Sequence, residues 1–161
     1  MQPDIGPDPE RGPEDPDRES AYVLLQRGSA LIAKRHHAQA AIVLERAANA
    51  EPGKGSILEA LGRAYYNSGQ SDAARDAFER LLEVDPSAPY AHYALGQSLK
   101  RLKRLDEART HLRLAVALDP SSTLYRGALG RLGHVGSDRP DTPPAEPGAP
   151  AEPGPDAPPA E

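Results

Sequence analysis

Two residue types recur along this chain at one spacing of 34 residues. The recurring positions are Gly28, Gly62, Gly96 and Gly130, together with Pro52, Pro86 and Pro120. A period of this length predicts helix-turn-helix units, each of which can bury its apolar face only by stacking on its neighbours. The chain is therefore expected to form a repeat array.

Composition separates the centre of the chain from its ends. Fourteen of the 18 prolines lie in residues 1–20 and 137–161, and each of these segments has a net charge of −5, although the whole chain also has a net charge of only −5. Such segments contain too few large apolar side chains to offset the entropy lost on ordering. We expect disordered acidic tails at residues 1–19 and 135–161, around a folded domain at 20–134.

The chain has no cysteine, which excludes disulfides, thiolate metal sites and a cysteine nucleophile. Residues 1–12 do not have the basic and apolar pattern of a signal peptide, and no stretch approaches 18 apolar residues. We therefore expect a cytoplasmic protein that makes no contact with a membrane.

Three units, residues 21–54, 55–88 and 89–122, align without a gap, and a final helix at 122–133 is expected to cap the array. Small residues share the twentieth position and large apolar residues the twenty-fourth: Ala40, Ala74 and Ala108, then Leu44, Phe78 and Leu112. Because glycine in mid-helix costs about 1 kcal/mol relative to alanine, the four periodic glycines predict close approach of a neighbouring helix.

These positions resemble the tetratricopeptide repeat, which has Leu-Gly at positions seven and eight, Tyr at eleven, Ala at twenty, Phe at twenty-four and Pro at thirty-two. The sequence departs from the pattern at Arg27, Leu81 and His92. The resemblance implies an all-α solenoid of about seven helices.

Local signals predict several helix ends. Acid-proline pairs should end each second helix, because the residue before proline disfavours the helical conformation. Ser20 and Ser71 are predicted N-caps, and Gly69 is a predicted left-handed cap. Arg35 and Lys103 stand at the positions equivalent to Gly69, so their turns are expected to carry strain or to adopt another geometry.

The resemblance also implies a concave groove lined by positions two, five, nine, twelve and thirteen of each first helix. Those positions hold Tyr22, Leu25, Ser29, Glu59, Arg63, Tyr66, Asn67, Tyr90, Tyr93, Gln97, Lys100 and Arg101. Tyrosine beside arginine and amide groups suits an extended or helical peptide. Packing of the tyrosines between repeats is the alternative, and Tyr65 is assigned to the core.

Chaperone-binding members of the family hold a terminal carboxylate with Lys, Asn and Arg side chains. The equivalent positions here are Leu25, Ser29, Ala60, Tyr90 and Ala94, none of which matches. Lys100 to Arg104 form the densest basic run, which either faces solvent at a helix end or attracts an acidic peptide or an acidic tail of this chain. Nucleic acid is not expected, because the chain is acidic and has no such motif.

The spacing of the histidines does not support a catalytic site or a metal site. His36 and His37 are adjacent in a predicted exposed turn, and His92 and His111 are isolated in sequence. We therefore predict no enzyme activity, no cofactor and no metal. The expected function is a non-catalytic scaffold or adaptor that binds a protein or peptide as a monomer or weak homo-oligomer. The alternatives are a homo-oligomeric assembly unit and an accessory subunit of an enzyme or secretion complex.

Overall fold

The computed structural model describes residues 19–133, which form seven α-helices. The helices are α1 (Ala21–Ala33), α2 (His37–Ala50), α3 (Gly55–Asn67), α4 (Ser71–Val84), α5 (Pro89–Arg101), α6 (Leu105–Leu118) and α7 (Thr123–Gly133). Consecutive helices pack as the hairpins α1/α2, α3/α4 and α5/α6, and α7 packs on α6. The all-α solenoid expected from the 34-residue period is confirmed. The tails predicted at 1–19 and 135–161 lie, apart from Glu19, outside the described residues.

The periodic glycines occupy the tightest points inside each hairpin. A Cβ atom placed on Gly28, Gly62 or Gly96 would lie 2.5, 2.6 or 2.8 Å from the side chain at position twenty-four of the same unit, namely Leu44, Phe78 or Leu112. Gly130 differs, because a Cβ atom there would have nothing within 4 Å. The predicted close approach is therefore correct at three positions and wrong at Gly130, since the described residues contain no second helix after α7.

Buried alanines allow the two helices of each hairpin to meet. Ala40, Ala74 and Ala108 are completely buried, together with the large residue four positions later. The apolar interior forms two clusters that share Tyr65 at their edges, one built mainly by α1 to α3 and one mainly by α4 to α7. The core is therefore a continuous layer along the array rather than a central sphere.

The three turns inside the hairpins have the same backbone geometry despite different sequences. Arg35, Gly69 and Lys103 have φ angles of 63°, 86° and 63°. In each turn the next residue donates its backbone N–H to the carbonyl five positions earlier, for example from His36 to Leu31 at 2.9 Å. This is the Schellman arrangement, in which a left-handed residue normally is glycine. The positively charged residues at Arg35 and Lys103 adopt it as well, so the expectation of strain holds at both.

Helix ends follow the sequence signals with one exception. Ser20 Oγ accepts a hydrogen bond from the backbone N–H of Val23 at 3.3 Å, and the acid-proline pairs directly follow α2, α4 and α6. Ser71 was predicted as an N-cap, but it is the first residue of α4 and Gln70 precedes it. The Schellman turn ends one residue before Ser71, which leaves that serine inside the helix.

Candidate functional site

The first helices of the units lie side by side, because α1 contacts α3 and α3 contacts α5. Between α3, α4 and α5 is an open cavity of about 160 Å³. Its lining consists of Arg63, Tyr66, Asn67, Phe78, Tyr90, Tyr93, Ala94 and Gln97. Six of the twelve residues predicted for the groove therefore line one cavity.

Four aromatic residues, Tyr66, Phe78, Tyr90 and Tyr93, contribute to the lining of this cavity. Tyr90 meets Phe78 edge-on with ring centroids 6.4 Å apart, and its ring lies 6.1 Å from that of Tyr93. Tyr93 continues the row to Tyr125 of α7 at 5.1 Å. Tyr90 and Tyr93 are half-buried and line the cavity. Each ring also packs against an aromatic ring of a neighbouring unit.

Burial raises the pKa of Tyr90 to about 12, with Arg63 lowering it and Glu59 raising it by smaller amounts. The phenol therefore stays neutral at physiological pH and offers a hydrogen-bond donor beside a cation. Tyr93 is also engaged, because Gln97 Nε2 donates to its hydroxyl oxygen at 3.2 Å. The cavity thus presents neutral phenol and amide groups in fixed positions.

Arg101 contacts Tyr66, one of the residues that line the cavity. Its guanidinium carbon lies 3.5 Å from the centroid of the Tyr66 ring, and Nη1 donates to the Tyr66 backbone carbonyl. A cation over an aromatic face is attracted by the ring quadrupole, typically by about 0.5–2 kcal/mol. These contacts fix the Arg101 side chain across the ends of α3 and α5 and leave its remaining N–H groups available.

Like Arg101, five more of the predicted groove residues are not part of the cavity lining. Tyr22 is 67% exposed and shares α1 with the half-buried Leu25 and the exposed Ser29. Glu59 is half-buried on α3 close enough to influence the Tyr90 pKa, and Lys100 is half-buried near the end of α5. The structure therefore concentrates the predicted residues on α3 and α5, away from α1.

The repeat register continues into α7, although the predicted groove residues lie only on α1, α3 and α5. Leu124 and Arg131 occupy positions two and nine of this fourth first-helix, the positions of Tyr90 and Gln97 in α5. Leu124 is 50% exposed, and an Arg131 guanidinium nitrogen lies beside Gly127 at position five. The 34-residue period itself was the signal that could have identified both residues.

Positive charge on this surface is not neutralised locally. Among the described residues no carboxylate lies within ion-pairing distance of Arg63, Lys100, Arg101 or Arg131. In contrast, Arg75, Arg104 and Arg109 on the second-helix side pair with carboxylates on their own helices or turns. The first-helix surface of α3, α5 and α7 therefore carries four cations without an ion-pair partner among the described residues, beside the carboxylate of Glu59.

His92 and His111 are 19 residues apart in sequence but lie together in the structure. Their rings stack with centroids 5.3 Å apart and Nδ1 atoms 3.0 Å apart, while His92 Nε2 lies 3.0 Å from the Pro86 carbonyl. A carbonyl only accepts, so His92 carries its proton on Nε2 and its Nδ1 accepts from His111. The residues stand at positions four and twenty-three, which the hairpin brings together. That pairing of positions could have been inferred from the repeat register.

Two further residues differ from their predicted surroundings. Tyr65 is half-buried rather than fully in the core, because its hydroxyl reaches the surface and donates to the Glu45 carboxylate. Burial, followed by this hydrogen bond, raises the pKa of Tyr65. His37 is half-buried as the first residue of α2, whereas His36 before it is exposed as predicted.

The structure places apolar groups where the chaperone-binding members of the family hold their ligand's carboxylate. Ala60 and Ala94 are buried, and Leu25 is half-buried. Within residues 19–133 there is no cluster of three or more histidine or carboxylate side chains arranged to hold a metal ion. None of the seven helices is long and apolar enough to cross a membrane.

Comparison with known proteins agrees with this architecture. Residues 59–123 match the family model of the tetratricopeptide repeat. Protein bimA of Emericella nidulans is 28% identical over 110 residues, which is 68% of this chain, and the chain spans only 14% of that relative's length.

Solved structures show the same fold. The first tetratricopeptide domain of Spaghetti (RPAP3), bound to the HSP90 peptide SRMEEVD, superposes with a TM-score of 0.69 at 17% identity, covering 72% of this chain and 92% of that one. The Sgt2 domain from Aspergillus fumigatus gives 0.68 at 21% identity, covering 82% and 90%. The repeat register, the seven helices and these matches agree, and the chain has the fold of the tetratricopeptide repeat proteins that it resembles.

Proposed function

We propose that this chain is a non-catalytic interaction module that binds an acidic peptide segment across α3, α5 and α7. The observation that supports the proposal is the combination of an aromatic cavity with four cations that lack carboxylate partners among residues 19–133. The domain limits 20–134, the cytoplasmic location and the monomeric or weakly associating state stay predictions of the sequence.

The chemistry of the cavity favours binding over catalysis. Its polar groups are phenols, amides and guanidinium groups, which hydrogen-bond to peptide backbones and carboxylates. Burial moves the Tyr90 pKa to about 12, further from the neutral range in which a general base acts. These groups hold a ligand in place without supplying a nucleophile.

The mode of binding should differ from capture of a free C-terminus. The RPAP3 domain was solved with an HSP90 peptide, but this chain has no Lys or Asn at the clamp positions of such domains. The cations here lie instead at positions nine, twelve and thirteen of their units. We infer recognition of acidic side chains along a segment, flanking an apolar or aromatic side chain that enters the cavity.

The test is a selection from a displayed random-peptide library with the full chain, followed by affinity measurement on the enriched sequences. We expect acidic peptides with one aromatic or large aliphatic residue. Arg63→Ala should weaken binding by about tenfold, because a charged hydrogen bond contributes about 1.5–3 kcal/mol.

Arg113→Ala is the matched control, because Arg113 is exposed on α6 and has no carboxylate within ion-pairing distance among residues 19–133. The substitution removes the same charge from the other helix layer. Circular dichroism verifies that both variants remain folded. Equal losses for Arg63→Ala and Arg113→Ala would contradict the assigned surface, and so would enrichment of basic or wholly apolar peptides.

A further inference from the structure

The unpaired cations gather at one edge of the array. Helices α3 and α5 end side by side, because Arg101 at the end of α5 covers Tyr66 near the end of α3. Helix α7 follows the course of α5, since Tyr125 near its start lies 5.1 Å from Tyr93 between ring centroids and its Leu132 belongs to the same apolar cluster as Leu99. Lys100, Arg101 and Arg131 therefore lie where the polypeptide leaves α7 at Gly133.

The sequence that follows has the opposite charge. Residues 134–161 carry six carboxylates, at Asp138, Asp141, Glu146, Glu152, Asp156 and Glu161, against the single cation Arg139. The first carboxylate comes only five residues after Gly133. Proline-rich sequence advances by about 3 Å per residue and helix axes pack about 10 Å apart, so residues 134–146 are long enough to pass α5 and α3.

We propose that the C-terminal segment 138–161 binds the cationic edge of its own chain and occludes the groove. The inference rests on the proposed function, because it regulates that same site. The six carboxylates of this segment complement the charge of Lys100, Arg101 and Arg131, and an external acidic peptide would have to compete with them. A tethered segment has an effective concentration in the millimolar range, which gives it an advantage over a second copy in dilute solution.

The acidic N-terminal segment is a weaker candidate for the same surface. It leaves the domain at Glu19, before the start of α1, at the far end of the array. Glu19 is itself occupied by Arg27 at 3.2 Å and Arg46 at 3.5 Å. Its position and its ion pairs both place Glu19 at the first repeat, away from Lys100, Arg101 and Arg131.

The absence of native cysteine allows a direct test with one spin label. The full chain with Ala145→Cys carries a nitroxide on this cysteine, and its NMR spectrum is compared with that recorded after the nitroxide has been reduced. At about 0.02 M salt we expect amide signals of Gln97, Lys100 and Arg101 to lose about half their intensity, and at about 0.5 M salt to recover, because salt screens exposed charges. Signals of Thr110 and Arg113 on α6 should keep their intensity.

Two variants of the labelled chain separate specific pairing from random sampling by the tail. Lys100→Gln/Arg131→Gln should abolish the broadening, and Arg113→Gln should preserve it. Broadening that is equal on both helix layers, or unaffected by salt, would overturn the proposal. Contact between copies is detected in a mixture of two chains, one that carries the spin label but no NMR isotope and one that carries the isotope but no spin label. Broadening that occurs mainly in this mixture would also overturn the proposal.

This experiment uses no external peptide, so its outcome is independent of the peptide selection. The peptide selection is also repeated with the full chain in which the six carboxylates of residues 138–161 are replaced by amides. Broadening in the native tail, with no peptide selected even by this amide variant, would leave the tail contact intact and reject the proposed function. Selected peptides that depend on Arg63, without broadening, would support the proposed function and reject occlusion by the tail.

Discussion

At the scale of single residues, the periodic glycines show what a sequence pattern can and cannot predict. The period predicts a close approach wherever a second helix follows, and Gly28, Gly62 and Gly96 each lie against a large side chain of that helix. Gly130 has the same spacing but no such neighbour. The glycine identity alone therefore does not reveal packing, because the partner side chain is contributed by another element.

This difference predicts opposite effects of one substitution. Gly62→Ala should lower the free energy of unfolding by about 1–2 kcal/mol, because forcing a methyl group against Phe78 costs more than the gain of about 1 kcal/mol in helix propensity. Gly130→Ala should raise it by about 0.5–1 kcal/mol, since only the propensity gain remains. Urea unfolding of the full chain measures both, and changes of the same sign would contradict the assigned contact.

The stacked histidines predict a dependence of stability on pH. Burial, followed by the neighbouring His92, lowers the pKa of His111, while Glu107 on the same helix opposes the shift. The unfolded chain then binds a proton more readily than the folded chain. Stability contributed by this group is present above the unfolded pKa of about 6.5 and is lost as pH falls below it.

The check is urea unfolding between pH 7.5 and 5.5 for the native chain, His111→Gln and His36→Gln. We expect His111→Gln to flatten the decline in stability toward low pH, and the exposed His36→Gln to leave it unchanged. Parallel declines in all three proteins would show that the stacked pair does not carry the effect.

At the scale of elements, the three hairpin turns adopt one geometry from three sequences. Gly69 marks its turn in the sequence, whereas Arg35 and Lys103 do not. The hairpin packing determines the backbone, because the two helices must meet through the same glycine and alanine contacts in every unit. Local residue propensity therefore predicts only the turn at Gly69. The turns at Arg35 and Lys103 can be predicted only because they stand at the equivalent positions of the repeat.

Lys103→Gly should stabilise the protein by about 0.5–1 kcal/mol, because glycine adopts positive φ without the steric cost that lysine incurs. Gly69→Ala is the reciprocal change and should destabilise by a similar amount, since open space at this position does not remove the backbone strain. Thermal unfolding reports both. Destabilisation by Lys103→Gly would mean that strain at this turn is smaller than the entropy that glycine adds to the unfolded chain.

At the scale of the whole molecule, the period was sufficient to predict a stacked array of helix-turn-helix units, and the family resemblance added the number of helices. The period was insufficient for the site, because the cavity depends on side-chain directions across α3, α4 and α5. Tyr66 and Arg101 are 35 residues apart, and nothing in either unit alone indicates that a guanidinium lies on a ring. The groove positions predicted from the sequence also cover only the three full units, so they omit Leu124 and Arg131 of the cap helix α7.

The layered core also predicts how far along the array a core substitution lowers local stability. Leu132 on α7 is 1% exposed and belongs to the cluster that includes Leu99 and Leu112. Leu132→Ala should cost about 2–5 kcal/mol locally, because it removes buried methyl groups from the last interface. Each unit contacts mainly its neighbours, so amide hydrogen exchange should accelerate in α5 and α6 and change little in α1 and α2.

Leu124→Ala on the same helix is the control, because half of that side chain is already exposed and its loss should change protection only within about 0.5 kcal/mol. Equal acceleration in all helices with Leu132→Ala would mean that the array unfolds as one cooperative unit. A graded loss from α7 toward α1 would instead identify α7 as the element that stabilises the last repeat, and with it the cavity between α3 and α5.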